Sequence, residues 1–174
     1  MDKPSILVVM GVSGCGKSTL GAALAETLGI AFFEGDEFHP QANIDKMSKG
    51  IPLQDEDRIP WLNSLREIIA THLQQNTGMV LSCSALKRSY RDILGHEPSI
   101  TYICLILNQH SLSNRVMART NHFMPSSLLA SQLQALELPQ EDEQSITLDA
   151  TLPISTLKQA LFDSLKPTAC GTSA

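Results

Sequence analysis

Short apolar runs alternate with longer segments of mixed polarity along this chain. The apolar runs predict five buried strands, at residues 5–10, 31–35, 79–83, 101–107 and 145–148. The mixed segments predict helices, near residues 17–28, 44–49, 55–75, 87–94, 110–119, 126–137 and 154–165. This alternation is typical of a three-layer α/β fold, in which a parallel sheet is covered by helices on both faces.

The length and charge of the chain narrow the class of protein. The 174 residues fit a single domain, predicted to span residues 1–166 with a flexible C-terminal tail at 167–174. A net charge of −5 argues against a general nucleic-acid-binding protein, since such proteins present basic surfaces. No apolar run reaches the length of a membrane span, and the N-terminus lacks the core of a signal peptide. We therefore expect a cytoplasmic protein that binds neither nucleic acid nor membrane.

The segment between the first strand and the first helix fits the phosphate-binding pattern G-x-x-x-x-G-K-[ST] at every fixed position. In this pattern the backbone N–H groups surround phosphate oxygens, while Lys17 neutralises the outer phosphates and the Ser18 hydroxyl ligates Mg²⁺. An ordinary glycine-rich turn is the alternative, and the flanking strand and helix argue against it. The predicted ATP-binding residues of this segment are Gly11, Val12, Ser13, Gly14, Cys15, Gly16, Lys17, Ser18 and Thr19.

An acid and an imidazole follow the second predicted strand, at the edge where ligands collect in open parallel sheets. Phosphoryl transfer to an alcohol needs a carboxylate that orients the hydroxyl and accepts its proton, and Asp36 is the predicted base. The alternative for Asp36 is a turn-capping role. His39 is either a hydrogen-bond donor to a substrate or a turn residue fixed by Pro40.

Residues 37–62 are too long and too structured for a plain connector, and we interpret them as an insertion that binds the phosphoryl acceptor. Arg58 lies near the start of a predicted helix and suits bidentate binding of a carboxylate. Pairing of Arg58 with Asp55 or Asp57 is an equally weighted alternative. Asp55 is placed to cap that helix, and Trp61 is predicted to pack in the core.

Two further cations follow the third predicted strand. Lys87 and Arg91 are four residues apart and are predicted to share a helix face at the ligand edge, where they suit an anionic acceptor. A solvated basic face is the alternative. The strand does not end in the Asp that holds Mg²⁺ in GTPase switches and motor ATPases, which argues against those classes.

Arg115 and Arg119 precede a loop and predict a mobile lid at about residues 119–127. Such a lid closes over the triphosphate and excludes water. Arg115 is predicted to bind ATP, and Arg119 is predicted to supply charge to the transition state. Ordinary surface arginines are the alternative.

Several blocks of the chain resemble bacterial-type gluconokinase over nearly its whole length. They are residues 11–18, 35–40, 43–50 with 52–53, 57–62, 83–87 with 90–92, and 122–124 with 131–132 and 136–137. The resemblance implies a nucleoside-monophosphate-kinase-like P-loop fold with strand order 2-3-1-4-5, usually a homodimer. It implies the conversion of ATP and D-gluconate to ADP and 6-phospho-D-gluconate. Asn121 and Thr147 depart from the family pattern, which has Gly and Asp at these positions.

The residues and the resemblance together predict one mechanism. Asp36 orients the attacking hydroxyl, while Lys17, Mg²⁺ on Ser18 and Arg119 neutralise the phosphoryl group. The acid and its other hydroxyls are predicted to be held by His39, Arg58, Lys87 and Arg91. Two rivals stay open: a kinase of another acceptor such as shikimate or a nucleoside monophosphate, and a non-catalytic ATP-binding protein.

Overall fold

A parallel sheet forms the centre of the computed structural model, which describes residues 5–107, 111 and 126–165. Within these residues the sheet has five strands in the order β2-β3-β1-β4-β5, and every neighbouring pair is parallel. The predicted fold class and strand order are therefore confirmed. The strands are β1 (Ile6–Met10), β2 (Ala31–Glu34), β3 (Met79–Ser82), β4 (Ile100–Ile106) and β5 (Ser145–Asp149).

Helices connect the strands and begin close to where the sequence predicts them. The second helix starts earlier than predicted, since Pro40 lies at its N-cap with a fixed φ of −57° and the chain becomes helical directly afterwards. The helix predicted at 110–119 lies, apart from residue 111, outside the described residues, as do the tail at 167–174 and most of the lid. The helices are α1 (Lys17–Leu28), α2 (Gln41–Ser48), α3 (Asp55–Gln74), α4 (Arg88–Leu94), α5 (Ser126–Ala135) and α6 (Ile154–Leu165), with a 3₁₀ turn at Gly35–Phe38.

Alternate residues of the central strand β1 pack into two hydrophobic clusters, one on each face of the sheet. Leu7 and Val9 of β1 face one cluster, and Ile6, Val8 and Met10 face the other. The first cluster includes side chains of α1, α5 and α6, whereas the second includes side chains of α3 and α4. A strand buried on both faces reads as a continuous apolar run, which explains why β1 shows no alternation in the sequence.

The insertion between β2 and α3 is fixed by contacts of its own. The Asp57 carboxylate accepts a hydrogen bond from the backbone N–H of Gln54 at 2.9 Å, which caps the start of α3. The same carboxylate binds Lys46 Nζ of α2 at 2.7 and 2.8 Å. Gln54 and not Asp55 is the N-cap residue, so Asp55 is available for other contacts. None of the described helices combines the length and the apolar character needed to cross a membrane.

Candidate active site

A cavity of about 330 Å³ opens at the carboxyl ends of β1, β2 and β3. One wall comes from the phosphate-binding loop and includes Ser13 and Lys17. The facing wall comes from the insertion and includes Asp36, His39 and Arg58. The fold therefore brings five residues of the sequence prediction into one cavity: Ser13, Lys17, Asp36, His39 and Arg58. Its remaining lining residues are Ile44, Met47, Ile51, Pro52, Leu53, Trp61, Ser84, Ser131 and Gln132.

The phosphate-binding loop depends on glycine where the chain passes closest to its neighbours. Gly11 has a φ of +138°, and a Cβ added there would lie 2.6 Å from the carbonyl oxygen of Leu105. No L side chain fits that position without moving backbone, so the glycine is required by geometry. Lys17 Nζ donates to the Val12 carbonyl at 3.1 Å, and the Ser13 N–H donates to Gln132 Oε1 at 2.7 Å.

The end of β2 is held so that Asp36 and His39 reach the cavity. A Cβ on Gly35 would lie 2.4 Å from the Ser82 carbonyl oxygen, so β2 approaches β3 as closely as glycine allows. The Gly35 carbonyl accepts a hydrogen bond from the Trp61 indole N–H at 2.7 Å. Asp36 is the second residue of the 3₁₀ turn that begins at Gly35, and its exposed side chain lines the cavity.

Trp61 is buried, as predicted, and it also supports the cavity. Its ring is 1% exposed and stacks on the His39 imidazole, with ring centres 4.1 Å apart and planes at 16°. Burial lowers the pKa of His39, nearby Asp36 opposes that shift, and the Arg58 charge adds to it. His39 is therefore neutral at neutral pH.

Arg58 and Lys87 share the carboxylate of Asp55. Lys87 Nζ lies 2.7 and 2.9 Å from its two oxygens, and the Tyr90 hydroxyl donates to one of them at 2.5 Å. Arg58 Nη1 donates to the Leu53 carbonyl at 2.6 Å and lies 3.8 Å from Asp55. These hydrogen bonds from Lys87 and Tyr90 hold the pKa of Asp55 below its usual value. Arg58 thus lies near Asp55, as the pairing alternative predicts, and it also lines the cavity, where its binding of a carboxylate stays a prediction.

Lys87 lies beside the cavity and not in its lining. Its backbone is extended, with φ of −98° and ψ of 150°, because it is the residue before α4 begins. The prediction that Lys87 and Arg91 share a helix face therefore fails, and only Lys87 points toward the acceptor side through Asp55 and Tyr90.

Arg91 does not reach the cavity, contrary to the prediction. Its side chain is completely buried and binds Glu143 through Nε at 2.5 Å and Nη2 at 3.0 Å. Its Nη1 donates to the carbonyls of Ala85 and Glu137 at 3.1 and 3.0 Å. Ala85 has a φ of +42°, which is unfavourable for a residue with a Cβ. Arg91 therefore holds the loop between β3 and α4 in its shape.

Four polar residues at the site were not predicted, and Ser131 of α5 is one of them. Ser84 lines the cavity directly after β3, and its carbonyl accepts a hydrogen bond from the Gly11 N–H at 3.2 Å. Its position just after a strand is the signal that identifies it. Gln132 comes from α5, more than a hundred residues along the chain from the phosphate loop, and no sequence spacing connects the two. Asn43 is 3% exposed behind His39.

A second cavity, of about 470 Å³, lies on the other side of the phosphate-binding loop. Gly14, Gly16 and Thr19 line it together with the segment between β5 and α6, from Ala150 to Ile154. Cys15 also lines it, with a side chain that is 1% exposed. The predicted lid residues Arg115 and Arg119 lie outside the described residues.

Known proteins resemble this chain in sequence and in fold. Residues 13–154 match the family model described as shikimate kinase. A gluconokinase of Gluconobacter oxydans is 49% identical over 145 residues, which is 83% of this chain and 82% of that protein.

Two solved structures extend this result to three dimensions. A sugar kinase from Janibacter has a TM-score of 0.86 at 44% identity, with 91% of this chain and 93% of that chain covered. A gluconokinase from Sinorhizobium meliloti has a TM-score of 0.77 at 42% identity, with 95% and 99% covered. Identity at this level over nearly complete chains identifies a narrower family than the match to the shikimate kinase model does. The chain belongs to the gluconokinase family, within the kinases that the shikimate kinase model describes.

Proposed function

We propose that this protein transfers the γ-phosphoryl group of ATP to the 6-hydroxyl of D-gluconate, giving ADP and 6-phospho-D-gluconate. The observation that carries the proposal is the single cavity in which the phosphate-binding loop faces Asp36, His39 and Arg58. A relative named gluconokinase, 49% identical in sequence, supports the choice of acceptor. Gluconate is an open-chain acid with several hydroxyls, so its site needs a cation at one end and a carboxylate at the other.

The phosphate side of the cavity supplies charge and fixed N–H donors. In this proposal Lys17 leaves the Val12 carbonyl, which it contacts at 3.1 Å, and binds the outer phosphates of ATP. The backbone N–H groups of the loop and the N-terminus of α1 stabilise the charge that develops on the transferred group. The proposal places the nucleoside part of ATP in the second cavity, which is lined by Gly14, Gly16 and Thr19 of the phosphate-binding loop. For Arg115 and Arg119 the proposal keeps the lid roles predicted from the sequence.

The acceptor side orients the sugar acid. Arg58 lines the cavity and binds the carboxylate of gluconate, with Lys87 beside it as a second cation. Asp36 accepts the proton of the attacking hydroxyl at the other end of the bound sugar acid. Arg91 has no part in binding, because its donors are used by Glu143 and by backbone carbonyls.

The residues present fit a Mg²⁺ ion that arrives with ATP. Ser18 lies in the first turn of α1 with an exposed hydroxyl. In the part of the chain that the structure describes, no group of three or more His, Cys, Asp or Glu side chains is placed to hold a metal. This is the arrangement expected for Mg²⁺, which takes few protein ligands and keeps phosphate oxygens and water. Ser18 would hold the ion, which when bound neutralises charge on the β- and γ-phosphates.

An ADP-release assay with a panel of acceptors tests the proposal. The panel contains D-gluconate, related sugar acids, shikimate and nucleoside monophosphates, each with ATP and Mg²⁺. Release with gluconate alone is the expected result. Release only with shikimate would favour the family that the model match describes. Bound ATP without release for any acceptor would indicate a non-catalytic ATP-binding protein.

Asp36→Asn tests the assignment of the base. Loss of a general base costs about 10²–10⁴ in kcat. The matched control is Glu37→Gln, the neighbouring exposed carboxylate, which does not line the cavity. Near-normal turnover by a folded Asp36→Asn protein would show that another group accepts the proton.

Assembly as a homodimer stays a prediction from the resemblance, and a cytoplasmic location stays a prediction from the sequence. Light scattering of the purified protein tests the first, and fractionation of cells tests the second.

A further inference from the structure

The His39 imidazole is held from two directions in the wall of the cavity. One ring face stacks on Trp61, and the ring nitrogen Nδ1 lies 3.2 Å from the side-chain nitrogen of Asn43. Asn43 belongs to the first turn of α2 and is 3% exposed, so water does not compete strongly for its amide. Among the described residues no group hydrogen-bonds the second ring nitrogen, Nε2.

The orientation of the Asn43 amide follows from a second contact. Asn43 Nδ2 lies 2.8 Å from the backbone carbonyl oxygen of Asp57. A carbonyl oxygen only accepts hydrogen bonds, so the nitrogen of the amide and not its oxygen must face Asp57. The same nitrogen is the atom near His39 Nδ1, and its second hydrogen is directed to the ring. Nδ1 is therefore the acceptor of this hydrogen bond and carries no proton.

The charges around His39 favour its neutral form. Burial lowers the pKa of the ring, and Arg58 on α3 lowers it further, whereas Asp36 on the 3₁₀ turn raises it. Lys17 adds a positive charge on the opposite wall of the same cavity. A neutral imidazole has one N–H group, and with Nδ1 accepting from Asn43 that group is at Nε2.

We infer that Asn43 is a positioning residue that holds His39 as the neutral Nε2–H tautomer, so that His39 donates a hydrogen bond to a hydroxyl oxygen of the sugar acid. The inference rests on the proposed function for the identity of the acceptor. It assigns complementary roles at one end of the cavity, since Asp36 accepts a hydrogen bond from a hydroxyl and His39 donates one. An imidazolium would instead pair with the Asp36 carboxylate and compete with the hydroxyl that Asp36 has to orient.

The tautomer is measured first in the unmodified protein. Long-range ¹H–¹⁵N spectra of the ¹⁵N-labelled chain at pH 7 distinguish a protonated ring nitrogen from an unprotonated one for each of the five histidines. His39→Gln identifies the signals of His39 by their loss. The expected result is an unprotonated Nδ1 and a protonated Nε2, with the Nε2 signal shifting on addition of gluconate. A protonated Nδ1, with or without Nε2, overturns the inference.

Asn43→Asp tests the effect on the site. A carboxylate accepts where the amide donated, so it draws the proton to Nδ1 and raises the pKa of His39. We expect the KM for gluconate to rise about tenfold with kcat changed less than about twofold, since a ground-state hydrogen bond is lost. The pH profile of KM should gain a new step from the ionisation of His39. The matched control is Asn63→Asp, the same substitution on the exposed face of α3, which should leave KM and the His39 signals unchanged.

Two variants of His39 itself separate donation from packing. Gln places an N–H donor near the position of Nε2, and Asn places one near Nδ1. We expect His39→Gln to keep a KM for gluconate several-fold lower than that of His39→Asn. Equal KM values for the two variants would overturn the donor role. Failure of all variants and of the unmodified protein to phosphorylate gluconate, with the tautomer as inferred, would instead overturn the proposed function.

Discussion

Two arginine–carboxylate pairs connect α4 to the segment before β5, and they differ mainly in burial. Arg88 binds Asp142 through two nitrogens at 2.9 and 2.5 Å, and Arg91 binds Glu143 at 2.5 and 3.0 Å. The side chains of Arg91 and Glu143 are 0% exposed, against 38% and 62% for Arg88 and Asp142. Water competes for the outer pair, whereas loss of one inner partner leaves an unpaired charge in the core. Although the two pairs make similar contacts, we therefore expect removal of one partner to cost more stability in the inner pair than in the outer pair.

The inner pair also connects to the candidate active site. Arg91 holds the carbonyl of Ala85, and Ser84 beside it lines the cavity and accepts from the Gly11 N–H. The outer pair has no comparable contact in the described part of the chain. Arg91 therefore supports the shape of the candidate site, whereas Arg88 lies at the surface.

Arg91→Met breaks the inner pair and should have the largest effect. It leaves Glu143 buried without its partner and frees the carbonyls of Ala85 and Glu137. We expect the free energy of unfolding to fall by about 3–5 kcal/mol. Urea denaturation followed by circular dichroism measures it. A fall of less than about 1 kcal/mol would show that burial does not distinguish the two pairs.

The double variant Arg91→Met with Glu143→Leu is the control for that result. It removes both charges and leaves none unpaired, so much of the stability should return. If the double variant is no more stable than Arg91→Met, the loss comes from the freed carbonyls and not from the unpaired carboxylate.

Glu143→Gln tests whether the ionised carboxylate of the inner pair stabilises the fold, through the pH dependence of the free energy of unfolding. Burial would raise the pKa of Glu143, but hydrogen bonds from Arg91 and from the Gln140 N–H outweigh burial and hold it below the usual 4.5. A lowered pKa stabilises the fold fully above the pKa of the unfolded chain, and this stabilisation is lost as pH falls through the folded value. We expect a loss of about 1–3 kcal/mol at pH 7, and this difference from the unmodified protein should shrink below pH 4.5.

The measurement is urea denaturation of both proteins at several pH values between neutral and acid. A difference that stays constant over this range would mean that the ionised carboxylate does not supply the stabilisation.

Lys87→Met extends the comparison to a third pair, the one beside the cavity. Lys87 and Asp55 are 30% and 52% exposed, so we expect little change in the free energy of unfolding. The KM for gluconate should rise about tenfold, because one cation near the substrate carboxylate is lost. Lys158→Met, which removes an exposed lysine bound to Thr27, is the matched control in the same steady-state assay. An unchanged KM would remove Lys87 from the acceptor site.

Arg88→Met should have the smallest effect. Among the described residues its guanidinium pairs with the exposed carboxylates of Asp92 and Asp142, and its backbone N–H keeps its bond to Glu137. We expect a free energy of unfolding within the error of urea denaturation and unchanged activity. A loss comparable to that of Arg91→Met would contradict the distinction between the two pairs.

The sequence predicts the parts of the site that are contiguous in the chain. The phosphate-binding loop is one uninterrupted motif between a strand and a helix, so local pattern suffices to find it. Asp36 and His39 follow a strand directly, and the carboxyl ends of parallel strands meet at one edge. The cavity lining brings these residues together with Lys17, although their chemical roles stay predictions.

The sequence does not predict contacts that close over long separations. The spacing of four residues from Lys87 predicts a substrate-binding role for Arg91. Its partner Glu143 is 52 residues away and makes Arg91 part of the core. Gln132 reaches the phosphate loop across 119 residues. Such partners depend on how α5 and the loop before β5 pack, which no local pattern specifies.

The fluorescence of Trp61 reports on the cavity. It is the only tryptophan of the chain, it is buried, and it stacks on His39 in the wall of the cavity. The tryptophan fluorescence of the unlabelled protein therefore comes from a single residue, which contacts His39 of the acceptor wall. Emission intensity during a titration follows occupancy of that wall directly, and stopped-flow mixing gives the rates at which it fills and empties.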